Sequence, residues 1–80
     1  MERLFNIKIM DRNVLNNVVS ILCDNINKVH GVIITNNGFI TNAYGINKYK
    51  YSDKIVFSNE YTNNIILEYK DIKSITIVGN

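Results

Sequence analysis

Residues 34–44 read ITNNGFITNAY, and the Asn37-Gly38 pair at their centre marks where the chain turns. An Asn-Gly pair between two runs that mix apolar and polar residues is the strongest short signal for a β-hairpin. Glycine readily takes the left-handed backbone conformation that such a turn needs. The stretch therefore predicts a hairpin in which residues 29–36 pair with residues 39–44.

The length of 80 residues limits the chain to a single small domain. Its single cysteine, Cys23, allows no internal disulfide and fits a reducing compartment. The first ten residues, MERLFNIKIM, do not form a signal peptide, and no apolar run approaches membrane-spanning length. We therefore expect a cytoplasmic protein without membrane contact.

The charge balance is not diagnostic, because the net charge is only +2. Asn, Ile, Lys and Tyr are abundant, and their codons are AT-rich, so a low-GC genome accounts for the many lysines. The number of lysines is therefore no argument for nucleic-acid binding.

Upstream of the hairpin, the sequence predicts one strand and one helix. Residues 4–9 alternate between apolar and polar side chains, as in a strand. Asp11 is placed to cap a helix from about residue 11 to 28. Its apolar residues recur at helical spacing: Val14, Leu15, Val18, Val19, Leu22 and Ile26. Because β-branched residues and Asn are frequent here, a strand at residues 18–23 stays open as an alternative.

Downstream of the hairpin, every segment has the pattern of a β-strand. Residues 48–51 and 54–58 form a third strand or a bent pair, residues 65–70 a fourth strand and residues 74–78 the last, after a tight corner at 71–73. A period of two places these side chains on one buried face: Ile55, Phe57, Ile65, Leu67, Tyr69, Ile75 and Ile77. It leaves Val56, Ile66 and Val78 on the outer face.

The predicted fold class is α+β. One N-terminal helix caps a small twisted antiparallel sheet or barrel of about five strands, with an extra N-terminal strand at about residues 4–9. A sheet of this kind curls or closes to protect its edges.

The layout resembles the Sm-like small β-barrel family, which has a helix, five strands, a tight turn after the first strand and a short corner before the last. The matching segments are ITNNGF, GINKYKYSDKIVF and ILEYKDIKSITIVG. The length and the ending also resemble the small Sm-like inhibitor of the Rho transcription terminator. Asn47 and Lys70 match one position each of the family's two RNA-contacting motifs, whereas Asp71 stands where the second motif has glycine. The resemblance implies a barrel that binds RNA or the RNA machinery.

Residues 48–54, KYKYSDK, interleave lysines with tyrosines, the side chains that contact phosphates and stack on bases. The alternative is that the tyrosines pack in the core and the lysines face solvent. Several amides and a phenol surround the hairpin and the loop after it. Together these residues form the candidate binding surface: Asn36, Asn37, Asn42, Tyr44, Asn47, Lys48, Tyr49, Lys50, Tyr51 and Lys70.

A second group of charges predicts only a mixed, solvated face. It combines three lysines with three acids: Lys54, Lys70, Lys73, Asp53, Glu68 and Asp71. The acids between the lysines count against a phosphate site.

The sequence predicts no catalytic, cofactor or metal site. His30 is the only histidine and has no acid or nucleophile at motif spacing. Cys23 lies beside Asp24, near the predicted end of the helix, and both features oppose a reactive thiolate. One His and one Cys do not provide an ordinary metal-ligand set. We therefore expect a non-enzymatic protein.

The last predicted strand is rich in β-branched residues, and no later element follows to cover it. An uncovered edge either closes the barrel or recruits another strand. The sequence thus predicts a homo-oligomer, or a protein partner, at an assembly edge that includes Ile66, Thr76 and Val78.

Two functions fit these features. The first is a small Sm-like regulator that contacts RNA or the transcription and RNA machinery. The alternative is a stand-alone inhibitor from a mobile element, such as a phage, which docks on a host protein and blocks it.

Overall fold

The computed structural model describes residues 3–48 and 53–79, which form one helix and a six-stranded antiparallel sheet. In chain order the elements are β1 (Leu4–Lys8), α1 (Arg12–Asp24), β2 (Val29–Thr35), β3 (Ile40–Lys48), β4 (Lys54–Ser58), β5 (Ile65–Glu68), a 3-10 turn (Tyr69–Asp71) and β6 (Ile72–Gly79). The predicted α+β class, the helix and the extra N-terminal strand are confirmed.

The predicted hairpin joins β2 to β3 through a three-residue loop. The Thr35 N–H donates to the Phe39 carbonyl at 2.9 Å, and the Gly38 N–H donates to the Thr35 carbonyl at 3.0 Å. Gly38 has a φ of +87°, whereas Asn37 does not adopt a positive φ. The loop is therefore residues 36–38, with the left-handed glycine at its third position, as in the common three-residue hairpin.

The helix begins where the sequence predicts and ends earlier. The Asp11 carboxylate accepts a hydrogen bond from the Val14 N–H at 2.9 Å, which caps the first turn. The Asn25 side chain donates to the Ile21 carbonyl at 2.8 Å, and this contact accompanies the end of the helix at Asp24. Ile26 consequently lies outside the helix and is 56% exposed, so its place in the apolar stripe is wrong.

The helical reading of residues 18–23 is confirmed over its strand alternative. The stripe packs its buried side chains on the sheet, against β2 and β3: Leu15, Val18, Val19 and Leu22. The approach is close at Gly31, since a Cβ built there would lie 3.2 Å from Leu22 Cδ1.

The strand order is β1-β6-β2-β3-β4-β5. β5 is at one end of this order and β6 is one strand in from the other end, yet only the three-residue 3-10 turn joins them. The sheet must therefore curl until the end of β5 lies beside the start of β6. Side chains on the inside of the curl form the core, and five are at most 2% exposed: Ile33, Ala43, Ile55, Phe57 and Ile75.

Three predicted strand boundaries need correction. β3 runs through to Lys48, with an irregularity in its pairing to β4 around Gly45, whose φ is +59°. β5 stops at Glu68 instead of residue 70, because the chain turns at Tyr69–Asp71. β6 starts at Ile72, so the corner lies two residues earlier than predicted. Of the predicted segment 48–51, residues 49–51 lie outside the described residues.

The last strand is not an edge, and the expectation that it is uncovered is wrong. β6 pairs with β2 on one side and with β1 on the other, so that Thr76 faces Val32 and Asn6. Val78, predicted to face a partner, lies opposite Leu4 and His30 and is only 8% exposed. The open edges of the sheet are β1 and β5, and Ile66 on β5 is 48% exposed.

Candidate functional site

The 3-10 turn at Tyr69–Asp71, called the corner below, holds three distant segments together. The Tyr69 N–H donates to the Asp53 carbonyl at 2.7 Å, which ties the corner to the start of β4. The hairpin loop attaches through Asn36, whose N–H donates to the Asp71 carbonyl at 2.9 Å and whose side-chain amide donates to the Lys70 carbonyl at 2.8 Å. These bonds fix the hairpin loop beside the corner.

A cleft of about 330 Å³ on one side of the corner, called the lysine cleft, brings together three lysines. The Ile9 N–H donates to the Lys73 carbonyl at 3.0 Å, which places the end of β1 against the start of β6. Among the residues that the structure describes, its lining includes no carboxylate: Lys8, Ile9, Met10, Asn36, Tyr69, Lys70, Ile72 and Lys73. Three lysine residues therefore line one recess, together with the aromatic residue Tyr69 and the amide residue Asn36.

Two of the three acids of the predicted mixed face, Asp53 and Glu68, lie in a neighbouring cleft of about 150 Å³. Arg12, Tyr69 and Lys70 also line this cleft. The Arg12 guanidinium sits 5.6 Å from the centre of the Tyr69 ring, within the range of a cation–π contact. Glu68 forms an exposed ion pair with Lys70 at 3.3 Å. Tyr69 and Lys70 thus line both clefts, while Lys8 and Lys73 line only the lysine cleft.

A third cleft, of about 350 Å³, lies between the hairpin loop and the corner and is called the hairpin cleft. Its lining combines apolar and polar groups: Thr35, Asn36, Asn37, Phe39, Leu67 and Asp71. The buried Thr35 hydroxyl donates to the Asn37 side-chain oxygen and accepts from the Phe39 N–H at 3.1 Å. These bonds orient the Asn37 amide and hold Phe39, which is 50% exposed, at the rim.

The structure brings together only some residues of the predicted binding surface. Asn36, Asn37 and Lys70 meet at the corner, although 33 positions separate Asn37 from Lys70 in the sequence. Lys48 is exposed at the end of β3. The remaining residues of the basic–aromatic run, Tyr49, Lys50 and Tyr51, lie outside the described residues.

Asn42 and Tyr44 lie away from the corner, on the outer face of the sheet. The Asn42 amide and the Tyr44 hydroxyl both donate to the Glu60 carboxylate, the latter at 3.3 Å, and so attach the β4–β5 loop to β3. The pKa of Glu60 is lowered by a hydrogen bond from its own backbone and by the Asn42 amide. The pKa of Tyr44 is raised by burial and by the Glu60 charge. The ring of Tyr44 packs on the ring of His30, with 5.0 Å between the two ring centres.

Asn47 lies beside Cys23 at the far end of β3. The Cys23 thiol donates to the Ile46 carbonyl at 2.8 Å and contacts the Asn47 side-chain oxygen at 3.6 Å. Burial and the neighbouring Asp24 raise the pKa of the thiol. Cys23 therefore favours its protonated form, which opposes a reactive thiolate.

Most residues that line the two larger clefts were absent from the predicted binding surface, among them Lys8, Phe39 and Tyr69. Lys8 reaches the lysine cleft only through the pairing of β1 with β6, and no local pattern indicates this pairing. Lys73 and Asp71 were assigned to the mixed, solvated face, and the structure places them in two different clefts.

Within the described ranges 3–48 and 53–79, no three metal-binding side chains of His, Cys, Asp or Glu come together. The one helix found there is too short to cross a membrane.

The comparisons with known proteins give no match. No family model, no curated protein and no solved structure is similar to this chain.

Proposed function

We propose that this chain is a small, cytoplasmic, non-enzymatic module that binds single-stranded RNA at the corner. The observation that carries the proposal is the lysine cleft, which Lys8, Lys70 and Lys73 line and whose described lining contains no carboxylate. Lys8 from β1 and Lys73 from β6 add their charge to that of Lys70 at the corner, which also pairs with Glu68, although the sequence itself is only weakly basic. Phosphate groups are the natural counterpart of such a cluster.

The size and the other side chains of the cleft support a nucleotide ligand. A volume of about 330 Å³ is at the lower end of the range for small-ligand pockets and suits a single nucleotide. Tyr69 supplies an aromatic ring and Asn36 supplies an amide next to the ammonium groups. Single-stranded nucleic acids are commonly held by this combination of phosphate contacts and aromatic faces.

The Sm-like resemblance is part of this proposal. A helix, a run of five strands from β2 to β6 and a three-residue corner before the last strand support it. The corner is also where Lys70 lies, the residue that matches the basic position of the family's second RNA-contacting motif.

Fluorescence anisotropy with a labelled nine-nucleotide oligouridylate tests the proposal. Three phosphate contacts predict a slope of about −2 for log affinity against log salt, or roughly a 20-fold loss between 50 and 200 mM salt. Lys73→Ala should reduce this slope by about 0.7 to 1, because it removes one phosphate contact.

Lys28→Ala is the matched control, because Lys28 is an exposed lysine outside the three clefts at the corner. It should leave both the affinity and the slope close to those of the parent. The proposal fails if the parent does not bind at 50 mM salt, or if the two lysine variants weaken binding equally.

A second candidate function, docking on a host protein as an inhibitor, is favoured by the outer face of the sheet. Leu4 and Ile40 are each 63% exposed, and the strand register places both on this face. Large exposed apolar side chains on one face are typical of protein-binding surfaces. Stoichiometric capture of one host protein, abolished by Ile40→Glu and retained by Lys73→Ala, would support this function instead.

A further inference from the structure

We infer that the hairpin cleft is a base-recognition pocket selective for guanine, in the RNA strand that the lysine cleft holds by its phosphates. This inference rests on the proposed function and adds a sequence preference to it.

The two clefts adjoin each other at Asn36, which lines both. The side chain of Asn36 is held by the Lys70 carbonyl and its backbone by the Asp71 carbonyl, so the partition between the clefts is fixed. A nucleotide can therefore place its base on the hairpin side and its phosphate on the lysine side. The volume of about 350 Å³ on the hairpin side accommodates a purine.

The apolar part of the hairpin cleft suits the face of a base. Phe39 lines the cleft and is 50% exposed. Leu67 lines the same cleft and is half-buried. Unstacked RNA bases are commonly held against an aromatic side chain of this kind.

Two polar residues that line the cleft, Asp71 and Asn37, carry an acceptor pair and a donor on their side chains. The exposed Asp71 carboxylate has two acceptor oxygens and forms no hydrogen bond or ion pair with any residue that the structure describes. The Asn37 side-chain oxygen already accepts from the Thr35 hydroxyl. The Asn37 amino group, which the described chain leaves without a partner, is thus the donor that the cleft offers.

Guanine is the base whose Watson–Crick edge complements these groups. It carries two adjacent donors, N1–H and the N2 amino group, which a carboxylate accepts together, and one acceptor, O6, which suits the Asn37 amino group. Adenine, cytosine and uracil each place a lone-pair acceptor next to their single donor group. The Asp71 carboxylate would repel that acceptor, so these bases form at most one bond there.

The test uses four labelled nine-nucleotide RNAs, a uridine tract whose central position is G, A, C or U, and measures anisotropy at 50 mM salt. The parent protein should bind the G-containing RNA about tenfold or more tightly than the other three, as expected for a bidentate base contact. Asp71→Asn should bring the four affinities within about twofold of one another, because an amide offers only one acceptor atom.

Asp53→Asn is the matched control, because Asp53 is an acid that lines the neighbouring cleft with Arg12 and does not line the hairpin cleft. It should retain the preference for G. Phe39→Ala should lower the affinity for the G-containing RNA about fivefold or more, since stacking on an aromatic ring contributes about 1–3 kcal/mol per base. Circular dichroism on each variant establishes that the fold is kept.

The outcomes separate this inference from the proposed function. Equal binding of all four RNAs by the parent would overturn guanine recognition and leave RNA binding intact. A preference for G that survives Asp71→Asn would overturn the assignment of Asp71. Absence of binding to all four RNAs would overturn both the inference and the proposed function.

Discussion

The contact between Leu22 and Gly31 gives the sharpest test of how the helix packs on the sheet. Leu22 is 3% exposed, so Leu22→Ala should lower the free energy of unfolding by about 2–5 kcal/mol through lost burial and the cavity left behind. A domain of this length has a total stability of about 4–12 kcal/mol. The substitution should therefore remove a large part of it.

Gly31→Ala acts on the same contact from the other side. The added methyl would lie 3.2 Å from Leu22 Cδ1 and 3.5 Å from Ile75 Cγ2. The first distance is shorter than a comfortable carbon–carbon contact of about 3.5–4.0 Å. Overpacking costs about 1–3 kcal/mol, and the gain from replacing a glycine within a strand offsets about 0.5–1 kcal/mol. We expect a net loss of about 1 kcal/mol.

The two substitutions together should be less harmful than their sum. In the Leu22→Ala background the close contact is gone, and the Gly31→Ala methyl fills part of the space that Leu22 occupied. Gly31→Ala should then be neutral or stabilising, which gives a coupling free energy of about 1–2 kcal/mol.

Urea denaturation of the parent, both single variants and the double variant, followed by circular dichroism, measures the coupling. Additivity within about 0.5 kcal/mol would refute the contact between this end of the helix and β2. A cost below about 1 kcal/mol for Leu22→Ala would refute the burial of the stripe itself.

Two further predictions concern the β4–β5 loop and the last strand. The pKa of Glu60 lies below its ordinary value of 4.5 because its own backbone and the Asn42 amide donate to the carboxylate. The stabilisation from these bonds is present above pH 4.5 and is lost as the pH falls through the lowered pKa. In acid denaturation, the free energy of unfolding of Glu60→Gln should therefore decline less steeply with falling pH than that of the parent. A parallel decline of both proteins contradicts this. The amides of β6 should exchange with deuterium more slowly than those of the edge strand β5, measured by NMR, because β6 has a paired strand on each side. Equal protection of the two strands would count against the interior position of β6.

Local sequence patterns predicted most of the secondary structure. The Asn37-Gly38 pair located the hairpin, and Asp11 located the start of the helix, because turns and caps depend on residues close together in the chain. Alternation correctly placed Ile55 and Phe57 in the core. Ile26 continued the helical spacing of apolar residues, but the helix ends before it. The polar residue Asn25, whose side chain bonds the Ile21 carbonyl at the helix end, is not part of the apolar pattern.

The pairing of distant strands and the set of residues in the site were harder to predict from the sequence. The last strand appeared to be uncovered because its second neighbour, β1, lies at the other end of the sequence. The same pairing carries Lys8 into the lysine cleft, so a charge count along the chain could not reveal the cluster. Asn36, Asn37 and Lys70 were recognised for their chemistry, but their proximity depends on the hydrogen bonds between the hairpin loop and the corner.

The interior position of β6 also sets the order in which the protein can fold. The strands from β2 to β5 follow one another in both sequence and sheet, so they can pair as soon as each is synthesised. β6 then has to lie against β2, and β1 can dock only after β6 is in place, although 70 positions separate Asn6 from its partner Thr76. Such long-range closure is slow compared with hairpin formation. During translation, β1 therefore has no strand to pair with until β6 has been synthesised. Until then the apolar residues Leu4 and Phe5, which are exposed even in the folded protein, belong to an unpaired segment.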